Sequence, residues 1–220
     1  MDFTVGSALR FGWETFKKRP WFFIGTSIVV AFAYIAVSVV GSIIDTVFGG
    51  TAEDPTLAAS LFNFLCGILV SMGVTAFYLA AHDNPETVTL SALWHPQPFW
   101  KFLGTSVLVY LAIGIGFVLL FVPGIIALLF FMFATFIVID RGLGPIEAMK
   151  ESMRIGRGYR WPLLGFIALC MLIIVAGVMA LFVGLLVAMP VVTLAFTHAY
   201  RVLSAQAGAA PAATDARLST

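Results

Sequence analysis

Charge is what this chain has least of: Asp, Glu, Lys and Arg make up 10% of its 220 residues, against about a quarter in a soluble domain. The net charge is +1, which excludes the broad basic field of a nucleic-acid binder, so no nucleic-acid partner is expected. Cysteine is nearly as scarce. Cys66 and Cys170 both fall inside apolar blocks, which argues against a disulfide framework or a zinc site and leaves them as small apolar fillers. No Walker A, H-E-x-x-H or G-x-S-x-G motif occurs. His82, Asp83, Glu86 and His95 share one polar stretch, but their spacing matches no metal motif. No catalytic, metal or cofactor-binding residue is assigned, and the expectation is a protein that is not an enzyme and needs no cofactor.

What the chain has instead is apolar length. It is 61% hydrophobic with a mean hydropathy of +1.04. A membrane-spanning helix needs roughly 20 apolar residues at about 1.5 Å rise each, and six such spans can be placed. They cover residues 21–47, 60–81, 100–122, 125–140, 161–182 and 185–203. The third and fourth belong to one apolar block of about 40 residues, which as a single helix would be twice as long as a bilayer core is thick. That block must reverse, and Pro123-Gly124 near its middle predicts the turn, with positive φ at the glycine. The block from Trp161 to Leu203 poses the same problem. There the reversal is placed at Leu181 to Gly184, which leaves Pro190 inside the sixth span.

Two stretches have the pattern of helices lying at the membrane surface. In residues 1–20, Val5, Leu9, Trp13 and Phe16 fall at helical spacing between Arg10, Glu14, Lys17 and Lys18. In residues 145–158, Pro145 opens a helix that sets Ile146, Met149 and Met153 against Lys150, Glu151, Arg154 and Arg157. Residues 205–220 are small, polar and Pro/Ala-rich and predict a disordered tail. The fold class expected is therefore all-α: a polytopic membrane bundle of about six transmembrane helices with cytoplasmic interfacial amphipathic helices.

This layout puts all 12 Lys and Arg on one side and leaves Asp45, Glu53 and Asp54 as the charges of the other. The positive-inside rule then places both termini in the cytoplasm. All 5 tryptophans fall on the basic side as well, at headgroup depth, where an amphipathic ring is best placed. A surface helix leading into a Trp-started span occurs at Ala8-Leu9-Arg10 before Trp21 and again at Ala148-Met149-Lys150 before Trp161, with a shorter version at Ser91-Ala92-Leu93 before Trp100. Three parallel hairpin units, as in some transporters, would account for this. So would the ordinary look of any basic helix that precedes a span.

Four segments carry a resemblance: Phe11-Gly12-Trp13-Glu14-Thr15-Phe16-Lys17-Lys18, Val122-Pro123-Gly124-Ile125, the run from Ile139 through Asp140 and Pro145 to Ser152, and Ala199-Tyr200-Arg201. On these the chain resembles a bacterial family, the membrane domain attached to some glycerophosphoryl diester phosphodiesterases together with its stand-alone relatives. The resemblance spans nearly the whole chain and implies a multi-pass protein of the bacterial inner membrane. In fused members hydrolysis belongs to a separate soluble barrel that these residues do not contain, so it implies no phosphodiesterase activity here.

Two groups of residues stand out as candidate sites. Lys150, Arg154, Arg157 and Arg160, with Trp161 beside them, suit anionic lipid headgroups at about 1 kcal/mol per basic residue; they equally suit a plain topology signal. Asp140, Arg141, His198 and Arg201 form a candidate polar site at membrane depth, where ionisable groups are costly. The partner expected is the lipid bilayer, anionic lipid above all, with a protein partner or a homo-oligomer left open. The function expected is a non-enzymatic membrane protein with basic elbow helices. The alternative is a small-solute or lipid transporter built from hairpin repeats.

Overall fold

In a computed structural model, residues 3–51, 53–94, 98–180 and 184–218 are described, with side chains through residue 208. The described chain is helical: α1 (Val5–Lys18), α2 (Pro20–Val47), α3 (Leu57–Asp83), a 3-10 turn (Leu90–Leu93), α4 (Phe99–Leu119), α5 (Phe121–Phe131), α6 (Ala134–Arg141), α7 (Pro145–Ile155), α8 (Arg160–Met179) and α9 (Leu185–Leu218). Six segments are long and apolar enough to cross a membrane: α2, α3, α4, α5 with α6, α8, and α9 through Gly208. The architecture is an all-α polytopic bundle. Each hairpin is preceded by a short element, namely α1, the 3-10 turn or α7.

The third and fourth spans do reverse, but three residues earlier than expected. The break falls at Leu120, whose φ of −169° and ψ of 153° are extended, and Pro123 sits in the first turn of α5. A proline is tolerated there because its missing N–H would have had no helical partner in any case. Gly124 does not supply the turn's positive φ, which is found at Gly49, Gly142 and Gly158. Its role is close approach instead: a Cβ on Gly124 would come within 2.5 Å of the Phe117 ring, and one on Gly116 within 2.9 Å of Gly124 Cα.

The fourth span is itself broken between α5 and α6. Ser152 of α7, fully buried, donates its hydroxyl to Phe130 O at 2.7 Å and accepts from Phe133 N–H at 3.2 Å. Two backbone groups freed by the break are thereby satisfied away from water, where leaving one unpaired costs about 1–3 kcal/mol.

Helix α1 packs through small residues as well as through its apolar stripe, of which Val5 and Leu9 lie partly buried against the core. Its buried residues are Ala8, Gly12, Thr15 and Phe16, while Trp13 is 46% exposed. The small side chains let it lie directly against α9, where a Cβ on Gly12 would meet Val191 O at 2.5 Å. Arg19 fixes the α1–α2 corner by donating to Glu86 O at 2.9 Å and Val88 O at 3.2 Å, with its guanidinium 4.0 Å over the Phe22 ring. At the far end of α2, Asp45 accepts from the backbone N–H and the hydroxyl of Thr56, at 2.6 and 2.7 Å. It thus closes the α2–α3 hairpin rather than standing free at the interface.

The backbone of α9 runs on to Leu218, with Pro190 inside the helix, where the sequence predicted a disordered tail from residue 205. Alanine has the highest intrinsic helix propensity, and this segment is rich in it. The reversal expected at Leu181 to Gly184 lies between the end of α8 and the start of α9; residues 181–183, His95 and the Arg217 side chain lie outside what is described.

Candidate functional site: an ion-pair network at the basic end

Helices α3 and α6 end beside the middle of α9, and together they bring charge to one place. Arg201 of α9 donates to Asp140 Oδ1 of α6 at 2.6 Å and to Asp83 Oδ2 of α3 at 2.5 Å. Tyr200, fully buried, donates its phenol to the other oxygen of Asp140 at 2.7 Å. One guanidinium and one phenol on successive residues thus hold both carboxylate oxygens of Asp140. The planar fork of arginine suits this bridging better than a lysine ammonium would. Arg201 Nε is buried with no hydrogen-bond partner among the described residues.

A second arginine extends the network to α7. Arg141 lies 3.9 Å from Asp140, donates to Glu151 Oε1 at 2.8 Å and also bonds Ser204 Oγ of α9. Glu151 takes two further bonds from Arg154, at 2.7 and 2.6 Å. The hydrogen bonds from Arg154 hold the Glu151 carboxyl below its ordinary range, and the positive charges of Arg154 and Arg141 add to this against the opposing effect of burial. Gly142, in the left-handed region at φ 63°, ends α6, and its carbonyl accepts from Lys101 Nζ of α4 at 2.8 Å. Five helices are tied at this end.

Beside the network is an aromatic cluster. His198 Nδ1 lies 3.2 Å from His82 Nε2, and His82 Nδ1 lies 3.2 Å from Asp83 Oδ1. Phe11 of α1 stacks on His198 at 4.2 Å between centroids and contacts the His82 ring at 4.7 Å. The histidine pair therefore links α1 to α3 and α9, and through Asp83 to Arg201.

Of the four residues singled out as an intramembrane polar site, the structure joins Asp140, Arg141 and Arg201 directly. His198 reaches them only through His82 and Asp83. Asp83, Tyr200, Glu151 and Ser204 were not foreseen, and His82 is in the last turn of α3 rather than in a loop. The one signal that could have placed His82 is its helical continuity with Tyr78 and Ala81.

The second candidate group divides. Arg154 is committed to Glu151, and Arg160 lies 4.6 Å over the Phe130 ring. Lys150 and Arg157 are exposed and form no ion pair among the described residues. Trp161 is 82% exposed. No group of three or more potential metal ligands occurs among the described residues.

Residues 56–216 match a family described as Domain of unknown function (DUF7847). The chain belongs to this family. Among curated relatives, Uncharacterized protein Rv2560 of Mycobacterium tuberculosis is 26% identical over 227 aligned residues, covering 92% of this chain and 69% of that one. Uncharacterized protein Mb2590 of Mycobacterium bovis matches with the same identity and coverage. No solved structure matches. The DUF7847 segment contains every member of the ion-pair network from Asp83 to Ser204, together with Ser152 at the helix break, whereas α1, Phe11 and α2 lie outside it.

Proposed function

We propose that this is a multi-pass protein of the bacterial inner membrane, with its basic end and both termini in the cytoplasm, that holds anionic lipid headgroups against α7 and performs no catalysis. The observation that carries this reading is the division of the basic residues into two sets. Arg141, Arg154 and Arg201 are neutralised by Asp83, Asp140 and Glu151; Arg141 and Arg201 thereby hold helices together, and Arg154 is spent on Glu151 of its own helix. Lys150 and Arg157 are left without acidic partners among the described residues, with Arg160 and the exposed Trp161 next to them. An unpaired cation near an anionic membrane surface gains about 1 kcal/mol, and an exposed indole beside it fits the interfacial belt.

Kinship with the membrane domains attached to glycerophosphoryl diester phosphodiesterases is part of the same proposal, resting on Pro123-Gly124 and the segment from Asp140 to Ser152. The transporter reading has less support: Asp140 is already ion-paired with Arg201 and hydrogen-bonded by Tyr200, so a cationic substrate would have to displace Arg201 to pair with it.

The test is lipid retention by the full-length protein, released from membranes in mild detergent and weighed intact by mass spectrometry. The wild type should retain phosphatidylglycerol several-fold over phosphatidylethanolamine. The variant Lys150→Gln, Arg157→Gln, Arg160→Gln should bring the two near parity. Equal retention of both lipids by the wild type would reject the proposal.

A further inference from the structure

Midway along α2 and α3, far from the charged network, hydroxyl groups collect where apolar side chains would be expected. A lateral groove of about 500 Å³ between α2, α3 and α9 is lined by Ser27, Tyr34, Ser71, Thr75, Tyr78 and Thr193 among aliphatic neighbours. Its size is within the range of small-molecule sites. Tyr34 is 14 residues from the start of α2 and 13 from its end, and Ser71 is 14 from the start of α3 and 12 from its end. Both therefore stand at the middle of their spans. Hydroxyls at that depth are costly unless they are satisfied.

Part of the cost is met within the helices. Ser27, Thr75 and Thr193 donate to the carbonyls of Phe23, Ser71 and Met189 at 3.0, 2.9 and 2.8 Å, and their oxygens can still accept. The hydroxyls of Tyr34 and Ser71 have no hydrogen-bond partner among the described residues. The same two residues border a second crevice of about 380 Å³ that continues along α2 toward Tyr110 and Asn63. The Asn63 side-chain oxygen is buried there with no partner among the described residues. The two crevices form one seam with unsatisfied donors and acceptors at its centre.

Among the described residues the seam carries no carboxylate, lysine, arginine or histidine, so its occupant is uncharged. It opens sideways beside α2, a helix with only Phe23, Thr26 and Gly41 buried, so the occupant enters from the bilayer rather than from water. We infer that the α2–α3–α9 seam is a binding site for a neutral glyceride of the diacylglycerol class, its hydroxyl and ester groups meeting Tyr34 and Ser71 and its chains lying along the groove. The hydroxyl accepts and donates, and the ester carbonyls take the proton of Tyr34 or Ser71, which matches the unsatisfied groups by kind. This site is independent of the anionic-lipid reading of the basic end, and either can fail alone.

The experiment uses full-length protein in vesicles of phosphatidylethanolamine and phosphatidylglycerol, doped with a diacylglycerol carrying a photoreactive diazirine in one chain. Adducts are mapped by peptide mass spectrometry. Labelling should concentrate several-fold on α2 and α3 peptides around Tyr34 and Ser71, fall when unlabelled diacylglycerol is added, and persist when the same amount of phosphatidylglycerol is added. The variant Ser71→Leu fills the seam and should abolish the focus. Ala31→Leu, on the lipid-facing rim of the same groove, repeats the test if Ser71→Leu does not fold. Even labelling of all lipid-facing helices, equal competition by phosphatidylglycerol, or a focus that survives a folded seam-filling variant would each overturn the inference.

Discussion

The basic end and the mid-span seam handle polar groups in opposite ways. At the basic end, Asp83, Asp140 and Glu151 each face an arginine, and the helices that carry them are held together by those contacts. Along the seam, Tyr34 and Ser71 face space, and the buried Asn63 oxygen has no partner among the described residues. Burial follows the same division: half of the apolar window of α3 and of α9 is buried, but only 6% of that of α2. The bundle is thus built as a tight core closed at one end by ion pairs, with α2 standing along its side. Packing in a membrane gains little from apolar burial itself, since lipid chains are as apolar as leucine. The contacts that specify which helix end meets which are therefore the polar ones.

Removing the centre of the ion-pair network should have the largest effect. Arg201→Gln leaves Asp83 without its arginine and Asp140 with Arg141 at 3.9 Å alone, and should cost about 3 kcal/mol, read as a lowered thermal midpoint in detergent. Ser152→Ala comes next, at about 2 kcal/mol, because it frees Phe130 O and Phe133 N–H inside the broken fourth span; the same assay reads it, with faster amide exchange confined to α5, α6 and α7. Gly12→Val drives a side chain into Val191 O and should cost about 1–3 kcal/mol, with faster amide exchange in α1 ahead of the rest of the chain.

The smallest effect should come with pH. Glu151 titrates below its ordinary range in the folded protein, chiefly through the Arg154 hydrogen bonds. Its stabilisation is therefore fully present above the ordinary carboxylate range and is lost as pH falls through the depressed value. Thermal midpoints of the wild type should drop across that acid window, and Glu151→Gln should flatten the drop while lowering the midpoint at neutral pH by a degree or two. An unchanged acid profile in Glu151→Gln would separate this carboxylate from the network.

How much of this was legible in the sequence depends on which physical rule governs each feature. The six spans and both reversals follow from length, because a bilayer fixes how many residues a helix can use. The gathering of Asp140, Arg141 and Arg201 follows from the same count, which puts the ends of the fourth and sixth spans at one depth. Position along a helix is legible; rotation about its axis is less so. Hence α1 shows its Val5, Leu9, Trp13, Phe16 stripe plainly, yet Trp13 is exposed and the buried face also runs through Ala8 and Gly12, where smallness rather than apolarity decides. The turn was misplaced from Leu120 to Pro123 because proline is equally at home in the first turn of the following helix. Ser152 gave no signal at all: its partners are backbone groups of a break that no residue type announces. The His82–His198 contact, across 116 residues, depends on tertiary approach that periodicity cannot encode.

The central claim is that the basic residues serve two separate purposes, and one paired measurement tests it. Arg201→Gln and the triple variant Lys150→Gln, Arg157→Gln, Arg160→Gln are compared with the wild type for thermal midpoint and for phosphatidylglycerol retained per protein. The account predicts that Arg201→Gln loses stability and, below its midpoint, keeps its lipid, while the triple variant loses lipid with its midpoint nearly unchanged. Loss of both properties together in both variants would contradict it.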